Sequence, residues 1–451
     1  MGVLAVYGVE RASAIIYYGL HNLQHRGQEG GGIATFDPEG KSHRYRGLGL
    51  LSEIFTDNIL DSLTGSMGIG NVKYSNASKS GLDNVEPLFF RHRTGDFAIA
   101  GEGDLVNAPQ IASFLEKNGI IFQTDTISEL LAHLVKKTSD EDRIVRISRA
   151  LNMMEGGFTF VLMTKNRIYA CRDKYGIKPL CIGKIGDGYV VSSESCAFNI
   201  MGAEFIRDVK PGEIVSLDRH GLRSTLYSQF HRYRMCAMDY IYFARPDSDI
   251  DGCNVHAYRK ESGRRLFREC PADADIVVGV PESGLSAAIG YSEESGIPYE
   301  MGLVKHKYVG RTFIQPVQSL REQGVKMKLS PVRSIVNGKR IVLVDDSIVR
   351  GTTSLKIVRL LREAGATQVH VRIASPMMRF TCHYGVDTST PEELLCSHRT
   401  IEQACSMIGA DSLGYLSPES TRDSCSGCAD PCQACFTGEY PTMLYDEDYN
   451  E

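Results

Sequence analysis

The sequence predicts two domains of different fold class: an α+β domain of stacked antiparallel sheets, followed by an α/β domain built on a parallel sheet. Its 451 residues are a natural length for two domains. The first roughly 230 residues carry many short strand-like runs and few long helical patterns, which is typical of antiparallel sheets. Past Tyr233, hydrophobic strands alternate with helical patterns. This alternation indicates a parallel sheet with ligands at the carboxyl ends of its strands.

The individual elements follow from hydrophobic periodicity. In the first half, a helix is predicted to begin near Arg11, and apolar runs predict strands at 158–163 and 188–192. In the second half, Ile341–Val344 is predicted to be a buried strand, and Leu355–Ala364 a helix with one apolar face, stopped by the glycine that follows. The other elements predicted in this half are two strands and one helix, at 275–281, 369–374 and 285–294.

Composition excludes several classes of function. Hydrophobic residues make up 42% of the chain, which provides apolar surface for two cores, and the net charge is −5 with a pI near 6.2. These charges give no electrostatic reason to expect nucleic acid or an anionic membrane as a partner. The longest apolar runs are strand-sized, and the first residues lack the pattern of a signal peptide. The predicted location is the cytoplasm.

A strand, two carboxylates, hydroxyls and a helix follow one another between Ile341 and Ser354. Such a loop lies at the carboxyl end of a strand and at a helix N-terminus, where free backbone N–H groups and the helix dipole favour an anion. Asp345 and Asp346 are placed to bind two ribose hydroxyls or a hydrated Mg²⁺. The sequence therefore predicts a sugar-phosphate site, and the alternative is an ordinary turn with a capping side chain. The hydroxyl donors offered to a phosphate are Thr352, Thr353 and Ser354.

Thirteen cysteines need an explanation in a chain predicted to be cytoplasmic. Four lie close together in the tail, with two residues between the first pair, three between the middle pair and two between the last. This spacing indicates a zinc or iron–sulfur site and does not decide between them. The tail cysteines are Cys425, Cys428, Cys432 and Cys435. The cysteines predicted to be buried small hydrophobic residues are Cys171, Cys181, Cys196, Cys253 and Cys270.

The loop from Asp345 to Ser354 resembles the phosphoribosyl pyrophosphate (PRPP) motif of type I phosphoribosyltransferases. The segments 17–29 and 435–438 extend the resemblance to the glutamine PRPP amidotransferase family over nearly the whole chain. That resemblance implies an N-terminal-nucleophile glutaminase domain, an αββα sandwich, at 1–232, and a phosphoribosyltransferase domain with a cysteine-rich tail at 233–451. It also implies a homotetramer that makes 5-phosphoribosylamine for purine synthesis.

The resemblance assigns residues of a PRPP site. Pro281–Gly284 matches the pyrophosphate loop, and Ser283 joins Asp345 and Asp346 around Mg²⁺. The segment 309–316 matches the family's flexible loop, which closes over PRPP and helps to form an ammonia channel. Cations are expected because PRPP carries about five negative charges. The cations are Lys305, Arg311, Lys326 and Lys328, and the further PRPP-binding residues are Ser347, Arg350, Gly351, Thr352, Thr353 and Ser354.

A structural [4Fe–4S] cluster is the cofactor that the family's iron–sulfur branch implies for the cysteines. The cluster would tie the tail to both domains. Its role would be structural, because nothing in the expected chemistry transfers an electron. Cys425 and Cys428 are then spare or alternative ligands, and a zinc site in the tail stays open. The implied ligands are Cys236, Cys382, Cys432 and Cys435.

The glutaminase half departs from the family pattern where the chemistry occurs. Met1 occupies the position of the nucleophilic cysteine, and a thioether cannot replace a thiol. Lys73 replaces the arginine that holds the glutamine carboxylate, and Glu102, followed by Gly103, replaces the asparagine that donates to the oxyanion. Ile127 replaces the aspartate that binds the substrate amine. Arg26 is retained, and a shifted alignment offers Asp125 in place of the missing aspartate.

The sequence therefore predicts a PRPP-dependent transferase without glutaminase activity, using free ammonia or ammonia delivered by a separate protein. Two alternatives stay open. One is a non-catalytic paralogue that binds PRPP or nucleotides and regulates a true amidotransferase. The other is a phosphoribosyltransferase that acts on a different amine.

Overall fold

The computed structural model describes residues 1–74, 81–91, 95–137, 142–306, 329–388, 390–425 and 430–445. The strands of the first half form two antiparallel sheets, with the orders β11-β9-β10-β1-β4-β2-β3 and β13-β12-β8-β7-β6-β5. These strands are β1 (Gly2–Tyr7), β2 (Gly30–Phe36), β3 (Ser42–Leu48), β4 (Met67–Lys73), β5 (Leu88–Phe90), β6 (Phe97–Leu105), β7 (Gly156–Thr164), β8 (Arg167–Arg172), β9 (Cys181–Ile185), β10 (Gly188–Ser192), β11 (Glu204–Asp208), β12 (Glu213–Asp218) and β13 (Gly221–Leu226).

The two sheets pack face to face, and helices cover both outer faces. In β1, Val3 and Ala5 enter the core between the sheets, whereas Leu4 and Val6 point to the helices outside, as the two-residue period of a strand requires. This αββα arrangement confirms the predicted α+β sandwich. The helices over the first sheet are Ala12–Asn22, Leu51–Ile54, Asp57–Ser62 and Cys196–Met201, and those over the second are Ala108–Glu116, Ile127–Lys137 and Arg143–Met153.

The second half contains a four-stranded parallel sheet in the order β16-β19-β20-β21. This finding confirms the predicted α/β class and the three strands predicted for it. Two short antiparallel pairs accompany the sheet, β14 with β15 and β17 with β18. The strands are β14 (Asp249–Ile250), β15 (Cys253–Asn254), β16 (Ile276–Gly279), β17 (Leu303–Lys305), β18 (Leu329–Pro331), β19 (Arg340–Asp345), β20 (Gln368–Ile373) and β21 (Ser412–Tyr415).

Helices lie on both faces of the parallel sheet, and apolar cores separate them from it. The helix after β19 begins at Thr352 rather than at the predicted Leu355. Gly351, with φ +78°, turns the chain into this helix, so the threonine hydroxyls lie in its first turn. The helices of this half are Val255–Glu269, Leu285–Ser295, Arg333–Val336, Thr352–Glu363, Ile401–Ile408, Pro418–Asp423 and Ala434–Thr437.

A further apolar core joins the two halves. Tyr175 and Ile177 of the first half pack in it with the π-helix Asp239–Phe243 and the tail helix Ala434–Thr437. Between the two large sheets the chain runs from Leu226 to Asp249, and the domain boundary at 232/233 stays a prediction. In the part of the chain that the structure describes, no helix has the length and apolar character needed to cross a membrane.

Candidate functional site

The acid pair lies where two neighbouring parallel strands end. Strand β19 ends at Asp345 beside the end of β16, and the loop after β16 brings Ser283 to the pair. The Ser283 hydroxyl donates to Asp346 Oδ1 at 2.5 Å, and the Ser347 hydroxyl donates to Oδ2 at 2.7 Å. The backbone N–H of Asp346 donates to Asp345 Oδ1 at 2.9 Å. The structure therefore brings together the three residues expected around Mg²⁺.

These carboxylates are buried, and no cation among the described residues pairs with them. Burial and the adjacent Asp346 raise the pKa of Asp345 well above its ordinary value. Neither aspartate forms an ion pair with any described residue. Two carboxylates and a hydroxyl are hard oxygen donors, so their chemistry fits Mg²⁺. A divalent cation would also relieve the repulsion between the two acids.

Backbone from two loops surrounds this acid pair. A Cβ on Gly284 would lie 2.6 Å from the carbonyl oxygen of Val344, so only glycine allows the loop after β16 to approach β19. Thr352 and Thr353 are exposed at the start of their helix, and Ser354 is buried. Exposed hydroxyls beside free helix N–H groups suit a phosphate.

The cations expected around PRPP are described only in part. Lys305 Nζ lies 3.7 Å from Glu282 Oε2 in the loop after β16, and the lysine is half exposed. Arg350 pairs with Glu393 at 2.8 Å. The predictions that lie outside the described residues are those for Arg311, Lys326, Lys328 and the loop at 309–316.

The first half contains a cavity of about 120 Å³ at the edge of its sheets. Gly385 of the second half covers this edge, where a Cβ would lie 2.9 Å from the carbonyl carbon of Gly103. Gly103 itself has φ +111°, and a Cβ there would lie 2.0 Å from the oxygen of Gly157. The lining residues include six positions singled out from the sequence, namely Met1, Lys73, Gly103, Asp125, Ile127 and Cys382.

Three of the lining residues that the family pattern singled out are Lys73, Asp125 and Ile127. Lys73 Nζ donates to the backbone oxygen of Asn84 at 2.7 Å. The N–H of Asp125 donates to Asn84 Oδ1 at 2.9 Å, and Asp125 also lines the cavity. Ile127 begins its helix and is buried. Met1 also lines the cavity, and burial lowers the pKa of its amine to about 5.

Glu102 forms a buried ion pair with Arg26. Arg26 Nη2 donates to Glu102 Oε1 at 2.6 Å and to Asp239 Oδ1 at 2.9 Å, and Nη1 donates to Glu194 Oε1 at 2.6 Å. The Ser193 hydroxyl donates to the other oxygen of Glu102 at 2.8 Å. Although burial works in the opposite direction, Arg26 lowers the pKa of Glu102. Glu102 is therefore a charged acceptor where the family pattern has a donor.

Sequence reasoning missed the other carboxylates of this network. Glu194 accepts from His25 Nε2 at 2.6 Å and from the Ser248 hydroxyl at 2.7 Å, which joins the two halves. Burial opposes the effect, but His25 and then Arg26 lower the pKa of Glu194. Glu86, buried beside the cavity, was also missed, and burial raises its pKa to about 7. Neither acid belongs to a motif, so only three-dimensional proximity identifies it.

Four cysteines meet in the core that joins the halves. The backbones of Cys236 and Cys432 form a β-bridge. Burial, and then the nearby thiols of Cys382, Cys236 and Cys432, raise the pKa of Cys435 well above its ordinary value. In the described residues, no group of three or more Cys, His, Asp or Glu is arranged to hold a metal ion. The donor set, four free buried or half-buried thiols, nevertheless fits a thiolate-bound cluster.

Two further cysteines, Cys253 and Cys425, lie in the same apolar core as these four. Cys425 is buried, and its thiol lies near Tyr258. Cys428 lies outside the described residues. Cys171, Cys181, Cys196 and Cys253 are buried, as predicted. Cys270 is only half buried, because its position at the end of the helix Val255–Glu269 leaves one side open, and the prediction for it is wrong.

Comparisons with known proteins cover both halves. The family model of the glutamine amidotransferase domain matches residues 82–199, and that of the phosphoribosyl transferase domain matches residues 260–381. The chain is 50% identical to the amidophosphoribosyltransferase of Bacillus subtilis (strain 168) over 99% of this chain and 95% of the relative. It is 45% identical to the amidophosphoribosyltransferase of Staphylococcus aureus (strain Mu50), over 100% of this chain and 92% of the relative.

Two solved structures match nearly the whole chain, as these relatives do. Glutamine PRPP amidotransferase from B. subtilis, complexed with ADP and GMP, matches with a TM-score of 0.93 and 49% identity over 99% of this chain and 98% of that one. A structure described as the allosteric regulatory enzyme of purine biosynthesis matches with a TM-score of 0.94 and 49% identity over 99% and 97%. The chain therefore belongs to the amidophosphoribosyltransferase family.

Proposed function

We propose that this protein transfers an amino group from ammonia to C1 of PRPP, releasing pyrophosphate and forming 5-phosphoribosylamine for purine synthesis, and that it has lost glutamine hydrolysis. The observation that carries the transferase part is the acid pair Asp345–Asp346, hydrogen-bonded to Ser283 at the ends of two parallel strands. The family to which the chain belongs performs this type of transfer.

The chemistry requires displacement at the anomeric carbon. The bond from C1 to a pyrophosphate oxygen breaks, the ammonia nitrogen forms a bond to C1, and one proton leaves that nitrogen. Backbone N–H groups of the loop at 281–284 and the hydroxyls of Thr352 and Thr353 are suited to hold the phosphates. Positioning and charge neutralisation supply most of the rate in reactions of this kind.

Asp345, Asp346 and Ser283 would hold Mg²⁺, which supplies positive charge to the departing pyrophosphate when bound. The proposed PRPP-binding set further includes Lys305, Arg311, Lys326, Lys328, Ser347, Arg350, Gly351, Thr352, Thr353 and Ser354. Lys305 supports this set through its position beside the loop after β16.

Loss of glutamine hydrolysis is supported by the side-chain chemistry of four residues. Met1 offers no thiol to attack an amide. Glu102 presents a carboxylate that Arg26 keeps ionised, and removal of one oxyanion donor alone typically costs about 10²–10³ in rate. Lys73 is a point charge in place of an arginine fork, and Ile127 cannot bind an ammonium group.

The transferase is tested by PRPP-dependent pyrophosphate release with ammonium chloride at raised pH, where more neutral NH₃ is present. Parallel reactions contain glutamine or no amine. We expect release with ammonia alone. PRPP binding without release under any condition would contradict a transferase and favour the regulatory paralogue. Release that needs another amine would favour a phosphoribosyltransferase that acts on a different amine.

The loss of glutamine hydrolysis is tested separately, by measuring glutamate release from glutamine in the presence of PRPP. We expect none above the rate of a protein-free control. Glutamine turnover at a rate matching pyrophosphate release would contradict the loss.

We also propose a structural [4Fe–4S] cluster held by Cys236, Cys382, Cys432 and Cys435. Its support is the shared burial of these thiols between the two halves. Anaerobic purification followed by iron, sulfide and zinc analysis tests it, and a protein that contains zinc alone would contradict the cluster.

We propose two further kinds of partner. Family membership supports a homotetramer, and the loss of glutamine hydrolysis supports a separate protein that supplies ammonia.

A further inference from the structure

We propose that the cavity beside Asn71 and Glu86 is a binding site for the ammonium substrate, an NH₄⁺ ion or a similarly small primary ammonium cation. This inference rests on the proposed function, because it names the amine donor that the transferase uses. It assigns to the cavity a ligand different from the glutamine that the family pattern places there.

The first observation is an unpartnered acceptor. Asn71 is 1% exposed and lines the cavity. Its Nδ2 donates to the carbonyl of Gly101 at 3.1 Å, and because a carbonyl accepts only, this contact fixes which end of the amide is oxygen. The remaining atom, Oδ1, has no hydrogen-bond partner among the described residues. A buried acceptor without a donor is costly, so a ligand that brings N–H groups is favoured here.

The second observation is the charge of the lining. Among the described residues that line the cavity, Lys73 is the cationic side chain, and it already donates to the oxygen of Asn84. The acidic side chains outnumber it even when Glu86, whose pKa burial raises to about 7, holds a proton. Asp125 and Asp387 are exposed. A site of this sign attracts a cation and repels the carboxylate of glutamine. The lining carboxylates are Glu86, Asp104, Asp125 and Asp387.

The size of the cavity agrees with a small cation. Its volume is about 120 Å³, whereas a water molecule, which is similar in size to NH₄⁺, occupies about 30 Å³ in the liquid. The ion and accompanying water would therefore fit. Asn71 and Lys73 are two residues apart on β4, so both side chains point to the same face. Because the Lys73 ammonium group is already bound to the Asn84 oxygen, the cation would lie at the Asn71 oxygen.

The position of the cavity supports a role in supplying the ammonium substrate. The lining combines first-half residues with Cys382, Gly385, Val386 and Asp387 of the second half. A cation bound here is therefore at the junction of the two halves rather than on an outer surface. This location distinguishes the cavity from a scattered acidic patch.

The test uses crystals of the full chain soaked in thallium(I) acetate, because Tl⁺ mimics NH₄⁺ and scatters anomalously. We expect an anomalous peak within coordination distance of Asn71 Oδ1, which excess ammonium acetate displaces and sodium acetate or glutamine does not. An empty or water-filled cavity, or displacement by glutamine, would overturn the inference. This experiment needs no PRPP, so it remains decisive even if the proposed transferase activity fails.

A kinetic arm tests the role in catalysis. In Asn71→Leu, which keeps the side-chain size and removes the acceptor, we expect the KM for ammonium in pyrophosphate release to rise about 10- to 100-fold, because a hydrogen bond to a charged group is lost. Asn199→Leu, exposed on the helix Cys196–Met201, is the matched control. An unchanged KM for ammonium in a folded Asn71→Leu protein would also overturn the inference. If that variant does not fold, the thallium displacement in the unaltered protein decides.

Discussion

In the second half, the hydrogen bonds that described residues donate to the carboxylates of Asp345 and Asp346 come from hydroxyls and backbone. In the first half, Glu102 instead faces the guanidinium of Arg26, which also contacts Glu194 and Asp239. The acid pair retains charge that a ligand can neutralise, whereas the Arg26 network neutralises its charge within the protein. Uncompensated charge therefore distinguishes a binding site from a structural ion-pair network, even when both are buried.

The strongest test of this contrast is Asp346→Asn. Removing the charge should lower ammonia-dependent pyrophosphate release by about 10²–10³, because a preorganised electrostatic contact is lost. The unfolding midpoint should change little or rise, since the repulsion with Asp345 is relieved. Asp423→Asn, an exposed aspartate of the same half, should keep its activity. Equal activities of the two variants would show that the acid pair has no role in transfer.

Arg26→Met tests the network of the first half. It removes the guanidinium that three buried carboxylates share, so the free energy of unfolding should fall by about 3–5 kcal/mol. Arg11→Met is the matched control: its ion pair with Asp61 is exposed, and its loss should cost less than about 1 kcal/mol. Chemical denaturation measures both values. Similar costs for the two substitutions would contradict the structural reading of the Arg26 network.

Glu86 connects stability to pH. Burial raises its pKa to about 7 from an ordinary 4.5. Between these values the folded protein holds a proton that the unfolded chain has released, so rising pH favours unfolding. From pH 4.5 to 7.5 the unaltered protein should lose on the order of 3 kcal/mol relative to Glu86→Gln.

Denaturation curves across that pH range measure the Glu86 effect. Glu116→Gln, an exposed carboxylate on the helix Ala108–Glu116, should follow the unaltered protein. Parallel pH dependences for the unaltered protein and Glu86→Gln would show that Glu86 titrates normally.

Lys305→Met is expected to give the smallest effect. The lysine is half exposed beside the loop after β16, so losing one charge contact should raise the KM for PRPP about 10-fold. Stability should hardly change, because exposed ion pairs contribute little. Lys339→Met, an exposed lysine of the same half, provides the control. If the two variants have the same KM for PRPP, Lys305 is a solvated surface lysine.

Much of this architecture could be predicted from local patterns. The apolar run Ile341–Val344 and the two acids after it identified a parallel strand and a loop at its carboxyl end, because a strand period and a helix start are local properties. The start of the next helix was missed by three residues, since Gly351 ends the loop earlier than the apolar pattern suggests. Ser283 was assigned through family resemblance, and the structure places its hydroxyl against Asp346.

The amino-acid sequence alone was enough to predict the two fold classes and the order of the halves, because these depend on residue identity and short-range periodicity. Only the tertiary structure showed that Glu102 pairs with Arg26, that Glu194 and Asp239 complete the network, and that the Asn71 acceptor has no partner. These contacts join residues that lie far apart in the chain. Charge balance and hydrogen-bond satisfaction are set by which side chains meet after packing, so no local pattern reports them.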